Sequence, residues 1–242
     1  MNCVVWIFGR GASVACNLRW IVPTERSSEG RLLQVEKIKA ALQKEMDLPT
    51  IDTAPYKLLL SELSRRKVPE WLHRFVTTNW DYLLRREITR QSWQVLPTWL
   101  EDSHVYHLNG TAECSPGSNI PNLRSPFMLE TDQAHERIPS KEFDDALKFF
   151  GWRKHFVVIG MSFSCPTDRD FLGFLHRIKD VQSVGTSRWH VVDPSEEAGA
   201  EVRSQINMAL PCADITVSQK GFKEWVVDGM PELVRWGVLN GS

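Results

Sequence analysis

The feature that most limits what this chain can fold into is its first segment. Cys3–Phe8 is an unbroken apolar run rich in Val, and it stops at Gly9. With no polar residue at either alternate position, such a run has no solvent face. It predicts a strand covered on both sides, as in a parallel sheet. The pattern returns at Phe156–Gly160 and Trp189–Val192, with further strands predicted at Arg74–Thr78, Ser92–Leu96, Val105–Leu108 and Ile215–Val217. Helical segments fall between them. Gly30–Met46 carries Val35, Ile38 and Leu42 at helical spacing and is stopped by Pro49. Thr53–Arg66 tolerates Pro55 in its first turn. Asp81–Ile88, Glu142–Phe150, Asp168–Ile178, Glu196–Leu210 and Gly221–Val227 complete the set. Strands alternating with helices predict an α/β fold, a Rossmann-like parallel sheet with helices on both faces. One domain over 1–242 is expected. Thr111–Arg124 turns to Ser, Pro, Gly and Asn, and 110–139 is expected as an irregular, loop-rich insertion.

Composition narrows the function classes. The net charge is −1, which gives no support for direct nucleic-acid binding. The basic groups Arg65-Arg66-Lys67 and Arg85-Arg86 sit among carboxylates at helical spacing and are expected on solvated helix faces. The five cysteines, Cys3, Cys16, Cys114, Cys165 and Cys212, contain no Cys-x-x-Cys pair, so neither a zinc module nor a disulfide framework is expected. Buried free thiols in a reducing cytoplasm are the expectation. No stretch approaches the roughly 18 apolar residues that a membrane span needs, and no leader is expected ahead of the first strand. The ten Trp are expected to fill core gaps or interfaces, Trp225 and Trp236 included. The histidines His73, His104, His135, His155, His176 and His190 lack paired metal-ligand spacing and are expected as surface or half-buried residues rather than ligands.

In an open parallel sheet, ligands bind beyond the carboxyl ends of the strands. Four predicted strand ends carry glycine or small polar residues: Gly9-Arg10-Gly11-Ala12-Ser13, Thr77-Thr78-Asn79-Trp80-Asp81, His107-Leu108-Asn109-Gly110 and Gly160-Met161-Ser162-Phe163. The first is a Gly-x-Gly without the third glycine of the usual dinucleotide fingerprint. Alone it describes a tight strand-to-helix turn as well as a phosphate site. The second crowds two hydroxyls, an amide and a carboxylate. Helix capping accounts for Asp81 but not for Asn79 and both threonines.

Taken in order, these segments resemble the sirtuin-like family. Gly9–Ser13 looks like its Gly-Ala-Gly-Ala-Ser turn, Thr77–Asp81 its Thr-x-Asn-x-Asp strand end, and Gly160–Ser162 its Gly-x-Ser loop, followed by an acidic residue at Asp168. The pattern is nearest to the bacterial sirtuin-like domains of antiphage defence. The resemblance implies that Gly9, Gly11, Ala12 and Ser13 cradle NAD phosphates and that Gly160 and Ser162 contact phosphate or the adenosine ribose. It implies that Asn79 holds the nicotinamide-side ribose and the attacking water, beside Thr78, and that Asp81 lies in the nicotinamide pocket. Arg10 replaces the usual Ala and either contacts phosphate or faces solvent. Asp193, at the later strand end Val192-Asp193-Pro194, falls where the family touches the adenosine ribose, and a carboxylate there disfavours a 2′-phosphate.

Two departures matter. The four-cysteine zinc module of the deacylases is missing from 110–139, so no metal is expected and the NAD-consuming branch fits better. The family's catalytic His, which precedes Gly, is replaced by Asn109 before Gly110. His107 lies two residues earlier on the same strand face, where it is either a base or a wall of the pocket. The expectation is an NAD hydrolase, releasing nicotinamide and ADP-ribose, that acts in antiphage defence. The alternative is a catalytically impaired sensor of NAD or ADP-ribose, or an assembly subunit with a homo-oligomeric or defence-complex partner.

Overall fold

The computed structural model describes residues 2–18, 31–92, 105–108, 153–163, 168, 170–181 and 187–241. Their elements are β1 (Asn2–Phe8), α1 (Arg10–Val14), α2 (Arg31–Met46), α3 (Ala54–Arg65), β2 (Trp71–Thr77), α4 (Leu83–Ser92), β3 (Val105–His107), β4 (His155–Ile159), α5 (Asp170–Val181), β5 (Arg188–Val192), α6 (Glu196–Ala209), β6 (Asp214–Ser218), α7 (Phe222–Val227) and α8 (Pro231–Arg235). The six strands form one all-parallel sheet in the order β3-β2-β1-β4-β5-β6, with helices on both faces, so the predicted Rossmann-like α/β fold is the observed one.

The apolar run that opens the chain lies at the centre of this sheet. Val4, Trp6 and Phe8 point into one core with Tyr56, Leu59 and Leu63 of α3 and Phe222 and Trp225 of α7. Cys3, Val5 and Ile7 point into the other, with Phe171 and Leu175 of α5 and Val202 and Ile206 of α6. Each fully buried Val, Ile or Phe contributes roughly 1.5–3 kcal/mol of hydrophobic stabilisation, so a polar residue anywhere in β1 is costly.

Register levels the strand ends. His107, Thr77, Phe8, Ile159, Val192 and Ser218 pair across the whole sheet as one row. The next residue in each of five strands extends the ladder by one bond: Leu108 N–H to Thr77 O, Thr78 to Phe8, Gly9 to Ile159, Gly160 to Val192 and Asp193 to Ser218. The chain builds β2 and β3 on one side of β1 and then crosses to β4 on the other. The reversal of strand order therefore lies between β1 and β4, where open α/β sheets bind ligands.

Several expectations are corrected. β2 starts at Trp71 rather than Arg74, because the polar His73 that interrupts the pattern is only 2% exposed and accepts the Trp6 indole Nε1–H at 3.1 Å. Burial holds His73 neutral, with its pKa pushed down to about 3. His190 is likewise fully buried, against Thr216 Oγ1 at 2.8 Å and stacked on Trp225, so neither imidazole is a surface residue. His155, by contrast, is half-buried as expected, between Trp71 and Trp236. Ser92 ends α4 instead of opening a strand, and α8, not expected, follows Met230 in a left-handed turn. Arg66 leaves the solvated face assigned to it. It is 3% exposed, donates Nε–H to Asn240 O at 2.8 Å and Nη1–H to Gly229 O at 2.7 Å, and ties the last residues to the α3–β2 connection. Cys3 and Cys16 are buried thiols, while Cys212 is exposed. Five tryptophans, Trp6, Trp71, Trp80, Trp189 and Trp225, are buried. Among the described residues no helix is long and apolar enough to cross a membrane. The insertion 110–139, the helix at 142–150 and residues 93–96 lie outside the described residues.

Candidate active site at the strand-order reversal

Two turns meet at the reversal, and glycine lets them touch backbone to backbone. Gly9 N–H donates to Ile159 O at 2.9 Å and Gly11 N–H to Gly160 O at 2.7 Å. A Cβ on Gly11 would lie 2.8 Å from Gly160 Cα. On Gly160, whose φ is +61°, it would lie 2.4 Å from Ala12 N. The Ala12 amide donates to Gly9 O at 3.0 Å. The amides of Gly9, Gly11 and Ala12, expected to cradle phosphate, are thus committed to carbonyls of the chain. These glycines have a packing reason to be glycine that is independent of any ligand.

Beside this seam lies a buried polar cluster from β2 and the turn after it. Thr77 Oγ1 donates to Phe8 O at 3.0 Å and accepts the Asn79 amide at 3.0 Å, bending the chain out of the strand. Asn79 is 5% exposed. Its Nδ2 donates to Gly9 O at 2.9 Å and to Ser13 Oγ at 2.8 Å, which uses both hydrogens and leaves Oδ1 as the group Asn79 offers. The opposite amide orientation would set Oδ1 against the Gly9 carbonyl, so the network fixes the assignment.

Ser13 passes its own hydroxyl hydrogen to Asp81 Oδ2 at 2.5 Å, and the Tyr56 hydroxyl of α3 lies beside it. Asp81 Oδ1 accepts the Leu83 amide at 3.1 Å, so Asp81 both caps α4 and joins the cluster. Burial raises the Asp81 pKa, opposed by the bonds from Ser13 and Leu83. Cys16 is on the same floor, and its thiol is pushed up by burial and then by the Asp81 charge.

A second carboxylate spans the reversal itself. Asp168 is fully buried. Its Oδ1 accepts Thr78 Oγ1–H at 2.5 Å, its Oδ2 accepts Ser162 N–H at 2.9 Å, and the Arg10 amide also donates to it. Burial pushes its pKa up to about 6 against these bonds and the Arg10 charge.

His107 comes to the same cluster. It is 2% exposed, and its Nδ1 lies 3.1 Å from the Asn79 carbonyl, a contact that requires the proton on Nδ1. Asp193, 8% exposed, stands one strand beyond Gly160, where its Oδ1 accepts the Ser195 amide at 2.8 Å ahead of α6 and burial raises its pKa. The structure therefore gathers Gly9, Arg10, Gly11, Ala12, Ser13, Thr78, Asn79, Asp81, His107, Gly160 and Ser162 at one seam, with Asp193 along the same edge. Asn109 lies outside the described residues. Tyr56 and Cys16 were not expected here. Tyr56 reaches the site by tertiary packing from α3, while Cys16 follows Ser13 in the turn that ends α1, its N–H on Ser13 O at 3.0 Å, and neither stands at a strand end. Among the described residues no group of three or more His, Cys, Asp or Glu is arranged to hold a metal. No family model matches the chain, and no curated protein matches it.

Proposed function

We propose that this crevice binds NAD and hydrolyses its nicotinamide–ribose bond, giving nicotinamide and ADP-ribose. The observation that carries the reading is the Asn79 amide: both of its hydrogens are spent inside the protein, and Oδ1 is left at the strand-order reversal as an acceptor. An acceptor fixed there takes a hydrogen from a ribose hydroxyl or from the attacking water and so orients it. Water adds to the ribose carbon as the bond to nicotinamide breaks. The pyridinium leaves with the electron pair as a neutral molecule, so no acid is needed. The water's proton passes to a base or to solvent, and His107, held by its Nδ1–H on Asn79, is the imidazole available.

With the Gly9, Gly11 and Ala12 amides committed, the diphosphate rests against the outer face of the turn and Arg10. Asp193 accepts from the adenosine ribose. The resemblance to defence-associated sirtuin-like domains supports the same reading and extends it to antiphage defence. Binding without turnover is the second reading, favoured by Asn109 in the position of the family's histidine.

The test is nicotinamide release from NAD by the purified protein with Asn79→Ala alongside. Release that falls by about 100-fold or more in the variant is expected, the scale set by losing one preorganised hydrogen-bonding group. Equal release from both sinks the role of Asn79. Tight ADP-ribose binding with no release moves the assignment to a sensor.

A further inference from the structure

A serine hydroxyl has one hydrogen and two lone pairs, and its rotor decides which faces a neighbour. Ser13 Oγ must accept from Asn79 Nδ2 at 2.8 Å. It does so only while its own hydrogen points elsewhere. The buried Asp81 carboxylate, 2.5 Å away on the other side, takes that hydrogen, and the hydroxyl of Tyr56 lies beside the same oxygen. Without an acceptor at Asp81 the rotor is released, two donors are free to face each other, and the Asn79 amide loses one of the two bonds that set its orientation.

We infer that Asp81 is a positioning residue for Asn79, acting through the Ser13 hydroxyl, and that neither Ser13 nor Asp81 touches the ligand. The resemblance had placed Asp81 in the nicotinamide pocket and Ser13 on phosphate. Both of these side chains instead spend their polar atoms on the relay and on the Leu83 amide. The functional consequence rests on the NAD reading. The positioning itself does not, since it is a property of the free protein.

The experiment therefore has two readouts. The first is the Asn79 side-chain amide pair in a nitrogen–proton NMR spectrum of ligand-free protein, identified by its loss in Asn79→Ala. In the unaltered chain both hydrogens are bonded and exchange slowly with water. Ser13→Ala is expected to shift the pair and speed its exchange about tenfold or more, and Ser13→Thr, which keeps the hydroxyl, to restore it. The second is nicotinamide release. Ser13→Ala lowers kcat about tenfold with KM within about twofold, Ser13→Thr recovers it, and Asp81→Asn adds nothing in the Ser13→Ala background. That double variant also relieves the buried carboxylate if Ser13→Ala alone does not fold. An unmoved amide pair in both overturns the relay. A further loss from Asp81→Asn in the absence of the Ser13 hydroxyl also overturns it, because the charge then acts on the ligand directly. If the unaltered protein releases no nicotinamide, the NAD reading fails alone and the amide pair still decides the relay.

Discussion

Thr78 and Asp168 lie 90 residues apart in the chain, and the Thr78 hydroxyl donates to the Asp168 carboxylate at 2.5 Å. The same carboxylate accepts the Ser162 and Arg10 amides, so a single buried acid joins the turns after β1, β2 and β4.

That acid makes stability depend on pH. Its folded pKa is raised from 3.8 to about 6. A group shifted in this direction contributes stability that is fully present below about 3.8 and is lost as pH rises through about 6. At roughly 1.4 kcal/mol per unit, the change is on the order of 3 kcal/mol. Asp168→Asn removes the titration. Urea unfolding of both proteins from pH 4 to 7.5 is expected to show the stability difference moving in favour of the variant as pH rises across that window. A difference that stays flat places the carboxyl in a solvated, unshifted environment and sinks the prediction.

The strand ends were legible in the sequence because β1, β4 and β5 each close on an apolar run that stops where the strand leaves the sheet. The first polar or glycine residue after the closing apolar runs of β1, β4 and β5, Gly9, Gly160 and Asp193, therefore marks the crevice edge, while β2 turns polar one residue early at Thr77, and register places Thr78 in one row with the other three. What was not legible depends on partners distant in sequence. Tyr56 is an ordinary apolar position of α3 until α1 packs over it. His73 breaks the strand pattern unless the Trp6 indole is known to face it. Arg66 has the local pattern of a solvated helix end, and only the returning C-terminal segment shows why it is buried. Asp168 stood out only as one acidic residue after a motif, and its three donors come from three separate strand ends.

The seam glycines make a sharper stability prediction. Gly160 combines a φ of +61° with backbone atoms of Gly11 and Ala12 less than 3 Å from any added Cβ. Left-handed backbone alone costs an L-residue roughly 1–2 kcal/mol, and the contacts are with main chain that has nowhere to move. Gly160→Ala is expected to destabilise by about 3 kcal/mol or more. Gly173, exposed in the interior of α5 with nothing within 4 Å of an added Cβ, is the control. Gly173→Ala is expected to stabilise by about 0.5–1 kcal/mol. Thermal unfolding of the two variants decides it. A mild effect at Gly160 means that the two turns are not in contact, and the Gly-rich segment is then free to serve a ligand alone.

Arg65 and Arg66 are consecutive and chemically identical, yet their neighbours predict opposite sensitivities. Arg65 is 58% exposed and pairs with Glu62 at 2.7 Å. Solvent screens such a pair, and Arg65→Met is expected to change stability by less than about 1 kcal/mol. Arg66 points two separate N–H groups at the carbonyls of Gly229 and Asn240, while its own carbonyl accepts the Asn240 amide at 3.0 Å. Arg66→Met keeps much of the packing volume but strands both carbonyls: the Asn240 carbonyl belongs to an exposed residue and turns to water, while the partly buried Gly229 carbonyl carries the cost of an unpaired acceptor, at most about 1–3 kcal/mol. Arg66→Lys does not rescue it, because a single ammonium lacks the planar fork that reaches both oxygens. Limited proteolysis gives the structural readout. Arg66→Met is expected to open the segment after Gly229 to cleavage while Arg65→Met leaves it protected. Equal protection in both variants would mean that α8 and the final residues are held by Leu233, Val238 and Leu239 in the core, and not by the arginine.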